Sequence, residues 1–129
     1  MPSARIEVRK KWSRQDKNLM ISALHESMVK CLKIPEYDKL IRLIEYHPDD
    51  FVVPPSCTEN YVLIEISLFS GRSLDAKRAL YQTIVARFVE LGVGKQDIRI
   101  VLHDVPKDNW GIRGGIPASE IDLGFKIEV

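Results

Sequence analysis

The chain has 129 residues, 45% hydrophobic and 29% charged, with a formal net charge of +1. That length and apolar content fit one globular domain spanning residues 1–129, and the near-zero charge excludes the electrostatic footprint of a nucleic-acid or anionic-membrane binder. With no apolar run of about 18 residues and no charged-then-apolar leader, the expected location is cytoplasmic.

Pro2 follows the initiator and precedes Ser3-Ala4-Arg5-Ile6-Glu7-Val8, which reads as a strand. A small residue after Met1 favours its removal, which would leave the Pro2 nitrogen as a secondary amine at a strand end. An α-amino group titrates at about 7.7–8.0, so it can serve as general base, general acid or imine-forming nucleophile near neutral pH. With Met1 retained, the same nitrogen is a tertiary amide and this chemistry is closed. Arg9-Lys10-Lys11 reads as a solvated strand end.

Ser13 is an N-cap with Asp16 at the third helical position, in the manner of a capping box. Met20, Leu24, Met28 and Cys31 then recur at helical spacing until Lys33, and Pro35 breaks the run. His25 falls on the neighbouring stripe Ile21, His25, Met28 and Leu32, where a core histidine bonded to backbone is the ordinary outcome. A second strand covers Ile41-Arg42-Leu43-Ile44. Residues 49–60 carry Pro54-Pro55-Ser56 and link two halves.

Tyr61 to Phe69 is β-branched and apolar on both faces except Glu65, as a central strand is. Ser73 caps a second helix with the stripe Ala76, Leu80, Ile84, Phe88 and Leu91, ended by Gly92 or Gly94. Ile98-Arg99-Ile100-Val101 forms the next strand. In the glycine-rich tail after Asp104, Gly114-Gly115 beside Arg113 reads as a turn, and residues 125–129 as a last strand. Cys31 and Cys57 lack metal or redox spacing. His47 and His103 have no third ligand, so no metal site is expected.

The second half repeats the first at an offset near 60. Ile6-Glu7-Val8 answers Ile64-Glu65-Ile66, Ser13 and Lys17 answer Ser73 and Lys77, and Ile34 and Asp38 answer Val93 and Asp97. Ile41-Arg42-Leu43-Ile44 answers Ile98-Arg99-Ile100-Val101, and Pro48 answers Pro106. The result is two β-α-β units in an α/β fold. They can interleave in the ferredoxin-like order 4-1-3-2 or abut as 2-1-3-4, and periodicity does not choose between them.

The motifs do choose. Pro2, the segment Ala23-Leu24-His25-Glu26-Ser27-Met28, Pro35-Glu36-Tyr37-Asp38, Gly71-Arg72-Ser73 and Asp108-Asn109-Trp110-Gly111 stand in the order found in the tautomerase superfamily. The chain resembles that superfamily along its whole length, and within it the malonate semialdehyde decarboxylase branch. The resemblance implies a four-stranded mixed sheet of order 2-1-3-4 with two helices on one face. It also implies a homotrimer and a cofactor-independent enzyme acting on a small 2-oxo or 3-oxo acid, by decarboxylation or keto–enol tautomerisation. Pro2, Asp38 and Arg72 would be catalytic, and Arg72, Trp110, Ile112 and His25 would contact substrate. The apolar strand at 61–69 fits a trimer, since helices on one face leave the other to be covered. The tail ending in Ile127 and Val129 would extend a neighbour's sheet.

One departure matters. The decarboxylase pattern has two arginines before the second helix; Arg72 fills the second place and Ser70 the first, while Phe69 stands where related dehalogenases carry their second arginine. Bland roles also exist: Asp38 shares its position with Asp97, and Trp110 could pack an interface. The alternative function is a non-catalytic ferredoxin-like small-ligand-binding module.

Overall fold

A computed structural model describes residues 2–129; Met1, and with it the question of its removal, lies outside the described residues. The chain runs β1 (Ser3–Arg9), α1 (Arg14–Leu32), β2 (Ile41–Tyr46), β3 (Val62–Phe69), α2 (Leu74–Glu90) and β4 (Ile98–Val105), followed by a short hairpin of β5 (Gly111–Ile112) and β6 (Ile116–Pro117). The main sheet has order β2-β1-β3-β4. β1 pairs with β2 and β3 with β4 in parallel, each through its helical crossover, and β1 meets β3 antiparallel. The ferredoxin-like arrangement is therefore excluded.

Both helices start where their caps stand. Ser13 Oγ accepts from Asp16 N at 3.0 Å, and Ser73 Oγ from Ala76 N at 3.1 Å. α1 ends without a glycine, and Lys33 takes the left-handed conformation (φ 58°). α2 ends at Leu91, with Gly92 at φ 94°. The expected stripes bury: Met20, Leu24, Met28, Leu80, Ile84 and Phe88 are fully covered and lie on Ala4, Ile6, Val8, Ile64 and Ile66. Cys31 Sγ reaches Thr83 Oγ1 at 3.4 Å across the helix pair, and both cysteines are free.

The repeat is two residues out of the expected strand alignment. Lys17 of α1 pairs with Glu45 at 2.9 Å and Lys77 of α2 with Asp104 at 2.6 Å. Val8 stands opposite Glu45, and Leu68 opposite Asp104. Val8 therefore corresponds to Leu68, sixty positions on, and Ile6 to Ile66 rather than Ile64. The Ile-Glu motifs matched by composition, but the crossover length from strand end to helix cap governs superposition. On this alignment Pro2 corresponds to Val62, an interior residue without an amine.

The sheet face away from the helices also differs from expectation. Alternate residues of β3 on that face are only half-buried, and it carries an ion-pair network. Arg5 Nη2 and His103 Nε2 each donate to Glu65 at 2.9 Å, Tyr46 Oη donates to Glu7, and Arg42 donates to Ser3 Oγ at 2.7 Å. β3 reads as apolar on both faces except Glu65, and its neighbours β1, β2 and β4 bring further charged and polar groups to that face.

Residues 125–129 are not a strand. They pack on their own chain: Ile127 is buried with Phe69 and Ala118, and Ser73 N donates to the Val129 carbonyl at 2.9 Å. Within its own chain the segment faces the turn before α2 rather than a strand edge. Among the described residues no helix is long and apolar enough to cross a membrane, and no cluster of His, Cys, Asp or Glu is arranged to hold a metal.

Candidate active site

One end of the sheet gathers the starts of β1 and β2 and the ends of β3 and β4. Ala4 N donates to the Leu40 carbonyl at 3.0 Å, and Ser3 stands opposite Ser67. Pro2, buried, thus sits between the loop entering β2 and the turn leaving β3. Antiparallel pairing of β1 with β3 creates this corner, because it sets the beginning of one unit against the turn of the other.

Two of the expected residues converge there with it. Asp38 is half-buried in a turn whose amide donates to the Pro35 carbonyl at 3.0 Å. Arg72 is 7% exposed and donates from Nη1 to the Phe69 carbonyl at 3.2 Å, while its Nε is buried without a hydrogen-bond partner among the described residues. Burial pushes the guanidinium pKa down; Asp104 opposes this most strongly, then Asp38, then Glu128. Arg72 therefore lies within the fields of three carboxylates, of which sequence analysis named one.

Trp110 and Ile112 pack on the cluster of Phe69, the residue whose carbonyl Arg72 bonds. The Trp110 ring meets Phe69 edge-on at 5.1 Å, its Nε1 donates to the Val105 carbonyl at 3.1 Å, and both residues pack on the Phe69–Ala118–Ile127 cluster. The hairpin holding them turns through Arg113, Gly114 and Gly115, all at positive φ. His25 is set apart. It is 2% exposed, and Nε2 donates to the Glu36 carbonyl at 2.9 Å, two residues before Asp38. Nε2 is thus engaged with the loop that carries Asp38.

Asp97, the repeat partner of Asp38, shows what that position does structurally. It is 2% exposed and accepts from Thr58 N at 2.8 Å and Thr58 Oγ1 at 2.6 Å. Asp38 lies within the field of Arg72. A groove of about 530 Å³ between the end of α1 and the start of α2, lined by Lys30, Lys33, Asp75 and Thr83, contains none of Pro2, Asp38 or Arg72.

A family model described as Tautomerase enzyme matches residues 38–113, more than half of the chain. The chain belongs to the tautomerase family. A probable tautomerase, YusQ of Bacillus subtilis, is 28% identical over 121 residues, covering 89% of this chain and 95% of that protein. A 2-hydroxymuconate tautomerase of Comamonas testosteroni is 38% identical over 58 residues, 44% of this chain but 90% of its own length, as expected of a tautomerase about one repeat long. Among solved structures, FG41 malonate semialdehyde decarboxylase inhibited by 3-bromopropiolate superposes with TM-score 0.84 at 21% identity, covering 94% of this chain and 98% of that one. A fused 4-OT described as a symmetric trimer superposes with TM-score 0.81 at 25% identity, covering 90% and 95%.

Asp104 and Glu128 escaped sequence analysis for different reasons. Asp104 was legible in principle: Lys17 and Lys77 repeat, so each calls for an acidic partner at the end of the following strand. Glu128 lies in a segment without periodicity, and nothing local announces its proximity to Arg72.

Proposed function

We propose that this tautomerase acts without a cofactor on a small 2-oxo or 3-oxo acid, using the Pro2 nitrogen freed by loss of Met1. The 129 residues would act as one domain in a cytoplasmic homotrimer. The observation that carries the reading is the meeting of buried Pro2, half-buried Asp38 and buried Arg72 at one sheet end, beside the Trp110–Ile112 wall.

For a 2-oxo acid, neutral Pro2 takes a proton from C3. The C–H pair forms the C2=C3 bond, the carbonyl pair moves to oxygen, and the oxygen takes the proton back to give the enol. Arg72 holds the carboxylate through its planar fork. Asp38 orients Pro2 or a water, and the apolar wall excludes bulk solvent, strengthening each charge interaction. Val62 at the Pro2 position of the second repeat leaves one such amine per chain.

A second reading is favoured by Pro35-x-x-Asp38 with Arg72, the pattern of the decarboxylase branch. In a 3-oxo acid the C–CO2 bond breaks, its electron pair passes into an enolate, and protonated Pro2 stabilises the oxygen before carbon is reprotonated. The direction of the Pro2 pKa shift separates the two: neutral at working pH for tautomerisation, protonated for decarboxylation.

The test begins with untagged protein whose intact mass lacks methionine. Phenylpyruvate tautomerisation and malonate semialdehyde decarboxylation are then assayed in parallel. Pro2→Ala and Arg72→Ala should nearly eliminate the native reaction. Ser70→Arg should raise decarboxylation by roughly one to two orders of magnitude, since a charge-assisted hydrogen bond contributes about 1.5–3 kcal/mol and each 1.4 kcal/mol is tenfold. Demethionylated protein inactive in both assays, with no response to Ser70→Arg, would refute the proposal. The assembly reads directly in light scattering at micromolar concentration, where a monomeric mass refutes the trimer.

A further inference from the structure

We propose that His25 is a positioning residue of this site: its ring fixes the central peptide of the turn that carries Asp38, and so sets where that carboxylate stands. The inference rests on the reading of Asp38 as a catalytic group. His25 is 2% exposed on α1, and its Nε2 lies 2.9 Å from the Glu36 carbonyl. A carbonyl only accepts, so the ring proton sits on Nε2. The Glu36 carboxylate stays exposed and 3.7 Å away, which leaves the backbone as the ring's hydrogen-bond partner. Nδ1 is buried without a partner among the described residues, so the ring's hydrogen bonding is spent on this turn.

The place of that bond in the turn matters. Asp38 N donates to the Pro35 carbonyl at 3.0 Å, which closes a four-residue turn with Glu36 and Tyr37 at its middle. The Glu36–Tyr37 peptide is the unit of such a turn that can rotate while the closing bond stays made, which is how type I and type II turns differ. Side-chain packing does little to hold it, since Glu36, Tyr37, Lys39 and Leu40 are all exposed. A segment with few buried contacts opens locally at low cost. His25 reaches it from the core and holds the peptide that decides how the chain enters Asp38. The second repeat is anchored differently. Val85 stands at the place of His25, sixty positions on, and carries no donor. There Asp97 is itself buried, and its carboxylate holds Thr58 N and Oγ1. In the first repeat the helix supplies the anchor, and Asp38 is half-buried at the sheet end.

His25→Leu keeps apolar bulk and removes the donor, whereas His25→Gln restores an N–H toward the carbonyl. Both are made as demethionylated protein and assayed with phenylpyruvate and malonate semialdehyde. Asp97→Ala is the control, since it removes a buried anchor at the start of β4, the end of the sheet away from the site. His25→Leu should lower kcat about ten- to a hundredfold, the scale of a misplaced catalytic group. KM should stay within about twofold, because Arg72 still holds the substrate carboxylate. His25→Gln should recover most of kcat, and Asp97→Ala should keep it within about twofold despite lower stability. Amide exchange reads the positioning without turnover. The Asp38 amide should exchange about tenfold faster or more in His25→Leu and return in His25→Gln, while the Thr58 amide is unchanged. A His25→Gln variant as slow as His25→Leu overturns the proposal, as does an equal kcat loss in Asp97→Ala or an unchanged Asp38 amide in His25→Leu. If the native protein turns over neither oxo acid, the exchange pattern still decides the positioning, and the assigned reaction falls by itself.

Discussion

Gly71→Ala probes the joint between tail and site. Gly71 has φ +130°, a conformation that costs a residue with a Cβ about 1–3 kcal/mol. The added methyl would also approach Ile127 Cγ2 at 3.3 Å, so the tail must shift or lift. If it lifts, Ile127 goes from 2% exposed to solvated, and re-exposing such a side chain costs about 1.5–3 kcal/mol. Gly92 supplies the control: φ is +94°, but nothing lies within 4 Å of its Cβ position, so Gly92→Ala carries backbone strain alone. Urea denaturation of both variants should show Gly71→Ala the more destabilised by up to about 3 kcal/mol, with a Tm difference of about 4 °C per kcal/mol at this chain length. Limited proteolysis after residue 124 should accelerate in Gly71→Ala only. Equal loss of stability in the two variants, with equal tail cleavage, would refute the docking of residues 125–129 against this turn.

Asp97→Ala removes a buried carboxylate that holds both the amide and hydroxyl of Thr58, and should cost about 1.5–3 kcal/mol in urea denaturation. His25→Ala should cost about 1–3 kcal/mol by orphaning the Glu36 carbonyl, and amide exchange should rise at Asp38, whose turn the ring supports. Hydrogen bonds from His103 and then Arg5 hold the Glu65 carboxyl below its ordinary value of 4.5. A depressed carboxyl contributes stability that is full above the unfolded pKa and lost as pH falls through the folded one. Glu65→Gln should thus flatten the acid limb of the stability profile below about pH 5; an unchanged limb would refute the assignment.

The helices, their caps and the β-α-β duplication were legible in the residues because each depends on neighbours a few positions apart. Ser13 and Ser73 can cap only the turns that follow them, and Leu80, Ile84 and Phe88 share a face whatever the chain does elsewhere. The resemblance added the strand order, and with it the corner where Pro2, Asp38 and Arg72 meet.

What only the tertiary structure decided was set by contacts without a local signature. Matching Ile-Glu pairs placed the repeat two residues short, because composition does not register the crossover length that brings Lys77 to Asp104 as Lys17 comes to Glu45. β3 reads as apolar on both faces except Glu65, and the groups that pair with Glu65 and surround it arrive from β1, β2 and β4 across the sheet. Residues 125–129 have the alternation of a strand, and a strand needs an edge to pair with; the turn before α2 presents a glycine and one amide instead. The tail comes to lie against Gly71 for that reason, across more than fifty positions of sequence that no periodicity connects.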